Sequence, residues 1–264
     1  MSPSPLLVAA AALTFLAFGP AQAETVRQTL DGTSLAIDVA CVDNVDIQPQ
    51  AGLAGKVMVE ATSSDADDLK DFVFAGGAAA SVTRPHHIAC LKITDITRKI
   101  LVSIKVPAGM AIDIRNGGST DYVIGPVGGS LHARLAGSGD VAAENVTDLT
   151  LNIAGSSDAK IAQVSGPTEI QIAGSGDVKI ADATIPSLKI DVRGSGNVSV
   201  DQGQIGTLSA SVAGSGDLHI KANVQDAALS TVGSGDIDVA KVAGTLSSSK
   251  AGSGSIRIGR AGPG

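Results

Sequence analysis

The residues with the most chemical promise are carboxylates that close a recurring tetrapeptide. Gly-Ser-Gly-Asp, or a near copy, occurs eight times, with fourth positions Asp121, Asp140, Asp158, Asp177, Asn197, Asp217, Asp236 and Ser255. The intervals are 19, 18, 19, 20, 20, 19 and 19 residues, and Gly-Ser opens every copy. Six carboxylates on one spacing form a candidate cation ladder, because calcium takes oxygen ligands. Calcium-binding β-rolls, however, repeat their glycine-aspartate turn every nine residues, so that two turns hold each ion. Here one such turn recurs per 19 to 20 residues. Two carboxylates ~4.8 Å apart in water repel by only about 1 kcal/mol, less in salt. The column Asp121, Asp140, Asp158, Asp177, Asp217 and Asp236 therefore reads first as structural turns and second as a weak cation ladder.

Other chemistry is sparse. His86 and His87 are adjacent, so on a strand they face opposite ways. His132 and His219 fall in outward columns and read as surface residues; Arg115 and Arg134 share an outward column and read first as a solvated face and second as a small basic spot. Polysaccharide-cleaving β-helices need carboxylates at a working distance or a metal beside a basic group. The acids here repeat evenly, and the chain beyond residue 23 offers only Phe72, Phe74 and Tyr122 as aromatic platforms. No catalytic residue, metal or cofactor is assigned.

The elements that carry these turns follow from alignment on the fourth position. Nine residues before it stand Ile112, Leu131, Leu149, Thr168, Leu188, Leu208, Ala227 and Leu246. Seven before stand Ile114, Ala133, Leu151, Ile170, Ile190, Ala210, Leu229 and Ser248. One after stand Tyr122, Val141, Ala159, Val178, Val198, Leu218, Ile237 and Ile256, and three after stand Ile124, Ala143, Ile161, Ile180, Val200, Ile220, Val239 and Ile258. Residues between these columns are mostly polar. That is the period-2 alternation of strands with one buried face, so each repeat holds two short strands around a glycine turn. Such a unit cannot form a core alone; stacked copies bury a continuous aliphatic ladder. The predicted fold is all-β, a parallel β-solenoid of 19–20 residues per turn, right-handed by the usual rule for parallel crossovers. Gly supplies positive φ at the bend, Asp caps nearby N–H groups as an Asx turn, and stacked Ser residues are expected to form a hydroxyl ladder.

Before residue 112 the pattern is less regular. Leu35, Ile37, Val39, Val45 and Ile47 fit the same columns, with Asn44 in the Asp place. Val57, Val59 and Ala61 look like the start of another turn. Asp65 to Asp71 reads as a loop or short helix, and Ile100 to Val106 as a strand ended by Pro107. Residues 24–111 are thus expected to be divergent turns that cap the rod, 112–258 its regular part and 259–264 a frayed tail. Residues 1–23 carry no charged side chain, an apolar run from Leu6 to Phe18 and a small-x-small Ala21-Gln22-Ala23; they read as a cleaved signal peptide, too short to span a bilayer. In an oxidising compartment Cys41 and Cys90 are expected to pair, with two buried thiols as the alternative.

Composition agrees. Gly is 32 of 264 residues, there is no Trp, and 19 basic residues face 26 acidic ones for a net charge of −7. That balance argues against nucleic acid, whose binding requires a basic face.

The strand ending in Val106-Pro107, followed by iterated Gly-Ser-Gly-Asp with flanking aliphatic alternation, resembles the bacterial family labelled "putative auto-transporter adhesin, head GIN domain". The resemblance implies an exported β-helical protein and supplies no catalytic residues. The expected role is a non-catalytic, exported, periplasmic or cell-surface interaction protein whose partner is a glycan or a protein; the alternative is a polysaccharide-binding or -cleaving β-helix.

Overall fold

The computed structural model describes residues 23–85 and 99–259. The chain opens with β1 (Glu24–Asp31), β2 (Ser34–Val39), β3 (Asn44–Pro49) and β4 (Lys56–Ser63), then α1 (Ala66–Leu69), β5 (Val73–Ala75), β6 (Ala79–Arg84), β7 (Ile100–Val106), β8 (Ala111–Asn116) and β9 (Asp121–Ile124). The repeats continue as β10 (Leu131–Leu135), β11 (Val141–Val146), β12 (Leu149–Ile153), β13 (Ala159–Val164) and β14 (Thr168–Gly174). They run on through β15 (Val178–Gly194), β16 (Val198–Gly214), β17 (Leu218–Gly233), β18 (Ile237–Val242), β19 (Leu246–Gly252) and β20 (Ile256–Ile258).

From β8 onward each turn pairs in parallel with the next. Ile112 pairs with Leu131, Leu131 with Leu149, and Leu149 with Thr168. On the second side Tyr122 pairs with Val141, Val141 with Ala159, and Ala159 with Val178. The chain is a β-solenoid, as this parallel register requires. All four aliphatic columns are buried through the interior of the stack. Two further columns complete the core. One, Leu135, Ile153, Ile172, Val192 and Val212, lies between the second column and the glycine corner. The other, Ile185, Ile205 and Val224, lines a third side, where the long strands β15, β16 and β17 continue past the second corner, β15 and β16 in unbroken register and β16 and β17 with a shift.

The first part departs from simple stacking. β2 lies between β6 and β8, and β3 between β7 and β9, all parallel. The coil made of β2 and β3 is therefore inserted between the coil of β6 and β7 and that of β8 and β9, and the chain steps over it from Val106 to Ala111. Its columns are the expected ones: Leu35 pairs with Ile112, Val45 with Tyr122, and Asn44 with Asp121. Val57, Val59 and Ala61 are buried but do not begin a turn. They belong to β4, which runs antiparallel to β7 and to β1, and β5 is likewise antiparallel to β6. Reversed strands cover the end of the stack, a device that blunts an open edge. Asp65 caps α1, its side chain accepting from the Asp67 N–H at 2.9 Å. Beneath this cap the guanidinium of Arg84 is fully buried and donates from Nη1 to the carbonyls of Ala40 (2.8 Å) and Cys41 (2.9 Å). It lies 5.6 Å from the Phe72 ring centroid. Burial pushes its pKa down, opposed by the charges of Asp68 and Asp71.

Among the described residues there is no free cysteine. Cys41 takes the left-handed conformation, φ 55, while Cys90, its expected partner, lies outside the described residues, as do His86, His87, residues 1–22 and 260–264.

Candidate functional site

The Gly-Ser-Gly-Asp corners form one ridge. Two glycines per corner are needed for different reasons. Gly194, Gly214, Gly233 and Gly252, each first in its corner, have φ between 116 and 143. The second glycines permit close approach: a Cβ on Gly216 would stand 2.1 Å from the carbonyl oxygen of Gly196. Where the second position is Thr120 or Ser157, the side chain is turned inward and buried, its hydroxyl without a hydrogen-bond partner.

The aspartates act between turns. Asp121 Oδ1 accepts the N–H of Asp140, Asp140 Oδ1 that of Asp158, and Asp158 Oδ1 that of Asp177, each at 2.9 Å. Asp177 Oδ1 accepts from Asn197 N–H (2.8 Å), Asn197 Oδ1 from Asp217 N–H (2.8 Å), Asp217 Oδ1 from Asp236 N–H (2.9 Å) and Asp236 Oδ1 from Ser255 N–H (2.8 Å). The expected Asx turn within a single corner is replaced by a ladder of side-chain bonds from each turn to the next. Asn197 fits because its amide oxygen accepts like a carboxylate oxygen. Each bond satisfies an N–H that the corner would otherwise leave without a backbone partner. The serine hydroxyl ladder forms at one rung among the described residues, Ser234 to Ser253 at 3.2 Å.

Asp236 is held below the usual carboxylate range, chiefly by the Ser255 hydroxyl and then its N–H, with Arg257 adding its charge. Asp226 is lowered in the same way by Thr245. A depressed folded-state pKa contributes stability above the unfolded value, and this is lost as pH falls through the folded one. Thermal melts are therefore expected to be flat near neutrality and to fall below about pH 4, the ordinary aspartate range. A Tm that rises on acidification across that range would contradict the stabilising bonds assigned to Asp236 and Asp226.

The remaining predicted residues do not converge. Arg115 and Arg134 do share a column on an exposed face, and both reach Asp113, at 3.4 and 3.3 Å, so the alternative basic spot is a neutralised cluster. His132 is exposed, and His219 lies 3.3 Å from Asp238. Tyr122 is a core residue, its phenol pushed up by burial, and Phe72 is buried in near-parallel stacking with Phe74. None of the three is an open aromatic platform.

A feature unread in the sequence is the third side. All length variation of the repeat falls there. Ile180 to Leu188 and Val200 to Leu208 are eight residues apart, whereas Ile220 to Ala227 and Val239 to Leu246 are seven apart. The pairing absorbs the difference by register shifts after Val200 and after Ile220. Where the wide turns step down to narrow ones lies a groove of about 620 Å³.

Comparison with known proteins agrees with this geometry. The family described as Toastrack DUF4097 matches residues 33–261; the head GIN domain family is not what the match shows. No curated protein matches. A "putative adhesin" from Bacteroides fragilis is 20% identical with TM-score 0.54, covering 89% of this chain and 97% of its own. A "putative lipid binding protein" from Parabacteroides distasonis is 16% identical with TM-score 0.57, covering 91% and 98%. A "putative adhesin" from the same organism is 15% identical with TM-score 0.53, covering 89% and 97%. At these identities the likeness is one of fold.

Proposed function

Because the chain belongs to the Toastrack DUF4097 family, we propose that it is an exported, non-catalytic β-solenoid that serves as an adhesin-like interaction protein at the cell surface or in the envelope. The observation that carries this reading is the rod itself. Its stacked turns form a rigid scaffold whose long faces present rows of polar side chains, the use to which solenoids are commonly put. Its most regular acids are engaged in holding turn to turn, as Asp140 and Asp217 show. Two solved structures of this fold are described as adhesins, and no helix among the described residues is long and apolar enough to cross a membrane. We further read residues 1–23 as the export signal and Cys41–Cys90 as a disulfide suited to that compartment.

Deletion of the gene is expected to reduce attachment to surfaces or host material, or to raise envelope stress, with rescue by the full chain. An unchanged deletion strain in both screens overturns the reading. A reducing-sugar assay on the purified protein separates the alternative, since release of sugar ends identifies a polysaccharide-cleaving β-helix.

A further inference from the structure

The two ends of the rod differ. The first is covered by reversed strands: β4 runs antiparallel to β7 and to β1, and β5 to β6. The last coil, β19 with β20, pairs on one side only among the described residues, with β17 and β18. Its outer side leaves a backbone edge open beside the end of the apolar core. Leu246 is exposed and Ile256 and Ile258 are half-buried, whereas the preceding turn buries Leu229, Ile237 and Val239.

One side chain on this end is out of keeping with its column. Lys250 pairs in register with Thr231, and so stands in the inward column of Val192 and Val212. Other lysines of the repeats, such as Lys160 and Lys179, lie between the buried columns. A strand laid on β19 closes over the Lys250 ammonium. Burying that charge unpaired is strongly disfavoured, whereas a carboxylate facing it makes a charge-assisted bond in the same place. The lysine therefore turns apolar strands away and admits an acidic one. A second copy of the chain does not meet this condition. Its matching end brings another Lys250 to the edge, and its other end is covered by β1, β4 and β5. The residues after Gly259 include no carboxylate side chain.

We infer that the open edge of the last coil takes an extended strand of another protein, added parallel to β19, with an Asp or Glu side chain facing Lys250. Strand addition draws affinity from main-chain bonds and specificity from alternate side chains. The inference rests on the interaction-protein reading and supplies its partner class.

The probes are labelled synthetic peptides with the sequence of residues 207–220, and the same peptide carrying Val212→Glu or Val212→Lys. That segment holds Leu208, Val212, Leu218 and Ile220, which share columns with Leu246, Lys250, Ile256 and Ile258. Fluorescence polarisation with the full chain is expected to show the Glu peptide bound at least tenfold more tightly than the unsubstituted one, and the Lys peptide bound more weakly than either. Lys250→Glu in the chain is expected to invert the order, the Lys peptide then binding at least tenfold more tightly than the Glu peptide. Lys250 is exposed, so the variant is expected to keep the parent melting curve, and the ranking by the parent chain stands without it. Absence of binding by the Glu peptide overturns the edge as a docking site. Equal binding of the three peptides, or an order that Lys250→Glu leaves unchanged, overturns the pairing with Lys250. These results are separate from the deletion screens: a deletion phenotype without peptide binding refutes the edge alone, and peptide binding without a phenotype refutes the surface role alone.

Discussion

Replacing Gly214 with valine is expected to cost about 2–6 kcal/mol and to open the middle of the rod. Gly214 has φ 143, and a Cβ there would stand 2.2 Å from the carbonyl oxygen of Gly194 and 3.0 Å from its carbon. Neither atom can retreat. The Gly194 carbonyl accepts the N–H of Ser215 at 2.9 Å and of Gly216 at 3.2 Å, and Gly214 in turn accepts from Ser234 and Gly235. A β-branched residue in this conformation adds backbone strain of about 1–3 kcal/mol, and forced overpacking a further ~1–3. Against a typical total of roughly 5–15 kcal/mol that is a large loss. Because turns contact only their neighbours, failure at one corner uncouples the two halves. Gly52→Ala provides the comparison. Gly52 also has positive φ, 83, but a Cβ there meets nothing within 4 Å, so only about 1 kcal/mol of conformational penalty is expected. Urea midpoints measure both. Similar losses in the two variants would show that close stacking of the corners contributes little.

The second large effect concerns the C-terminal end. The column that runs Leu135, Ile153, Ile172, Val192 and Val212 ends in Thr231 and then Lys250, and the column ending in Leu229 continues to Ser248. β19 is exposed along its whole length, and Leu246 is 48% exposed where its counterparts Leu188 and Leu208 are buried. Among the described residues β19 pairs on one side only, with β17; an open parallel edge invites another strand, and a charge placed where the core would continue is a known deterrent. Lys250→Ile together with Ser248→Ile restores apolar rungs to the final turn. This variant is expected to self-associate at concentrations at least tenfold lower than the parent, as measured by light scattering on a sizing column. Unchanged association would mean that the lysine does not guard this edge.

The regular turns were legible because their columns repeat at fixed distances from the Gly-Ser corner. Ile112, Leu131 and Leu149, or Tyr122 and Val141, need only counting to be placed together. The column of Leu135 and Ile153 sits closer to the corner and is interrupted by Asn116, Thr231 and Lys250, so its periodicity is weaker. The third side was illegible for a sharper reason. Ile185, Ile205 and Val224 stand twelve residues before Asn197, Asp217 and Asp236, but Ser165 and Ala243 take that place in the flanking turns, so the apolar column is too short to stand out. The aspartates were legible as turn residues, yet their bonds to the following turn exist only once the turns are stacked. The reversal of β4 has no local mark either: Val57, Val59 and Ala61 alternate equally well in a parallel or an antiparallel strand. The groove followed from neither composition nor motif, because it exists only once turns of unequal width are stacked.

The inserted coil of β2 and β3 has a consequence for how the molecule is made. One of its faces is supplied by β8 and β9, which follow about seventy residues later, and the other by β6 and β7, which also come after it. A growing chain therefore cannot wind up the rod from its leading end. Residues 34–49 gain their first face only when β6 and β7 have been made, and their second only once position 124 has been delivered. Such distant pairings slow assembly and lengthen the time that apolar strands stay open. The first segment is thus the part that waits longest for its partners, while the regular repeats behind it need only their immediate neighbours.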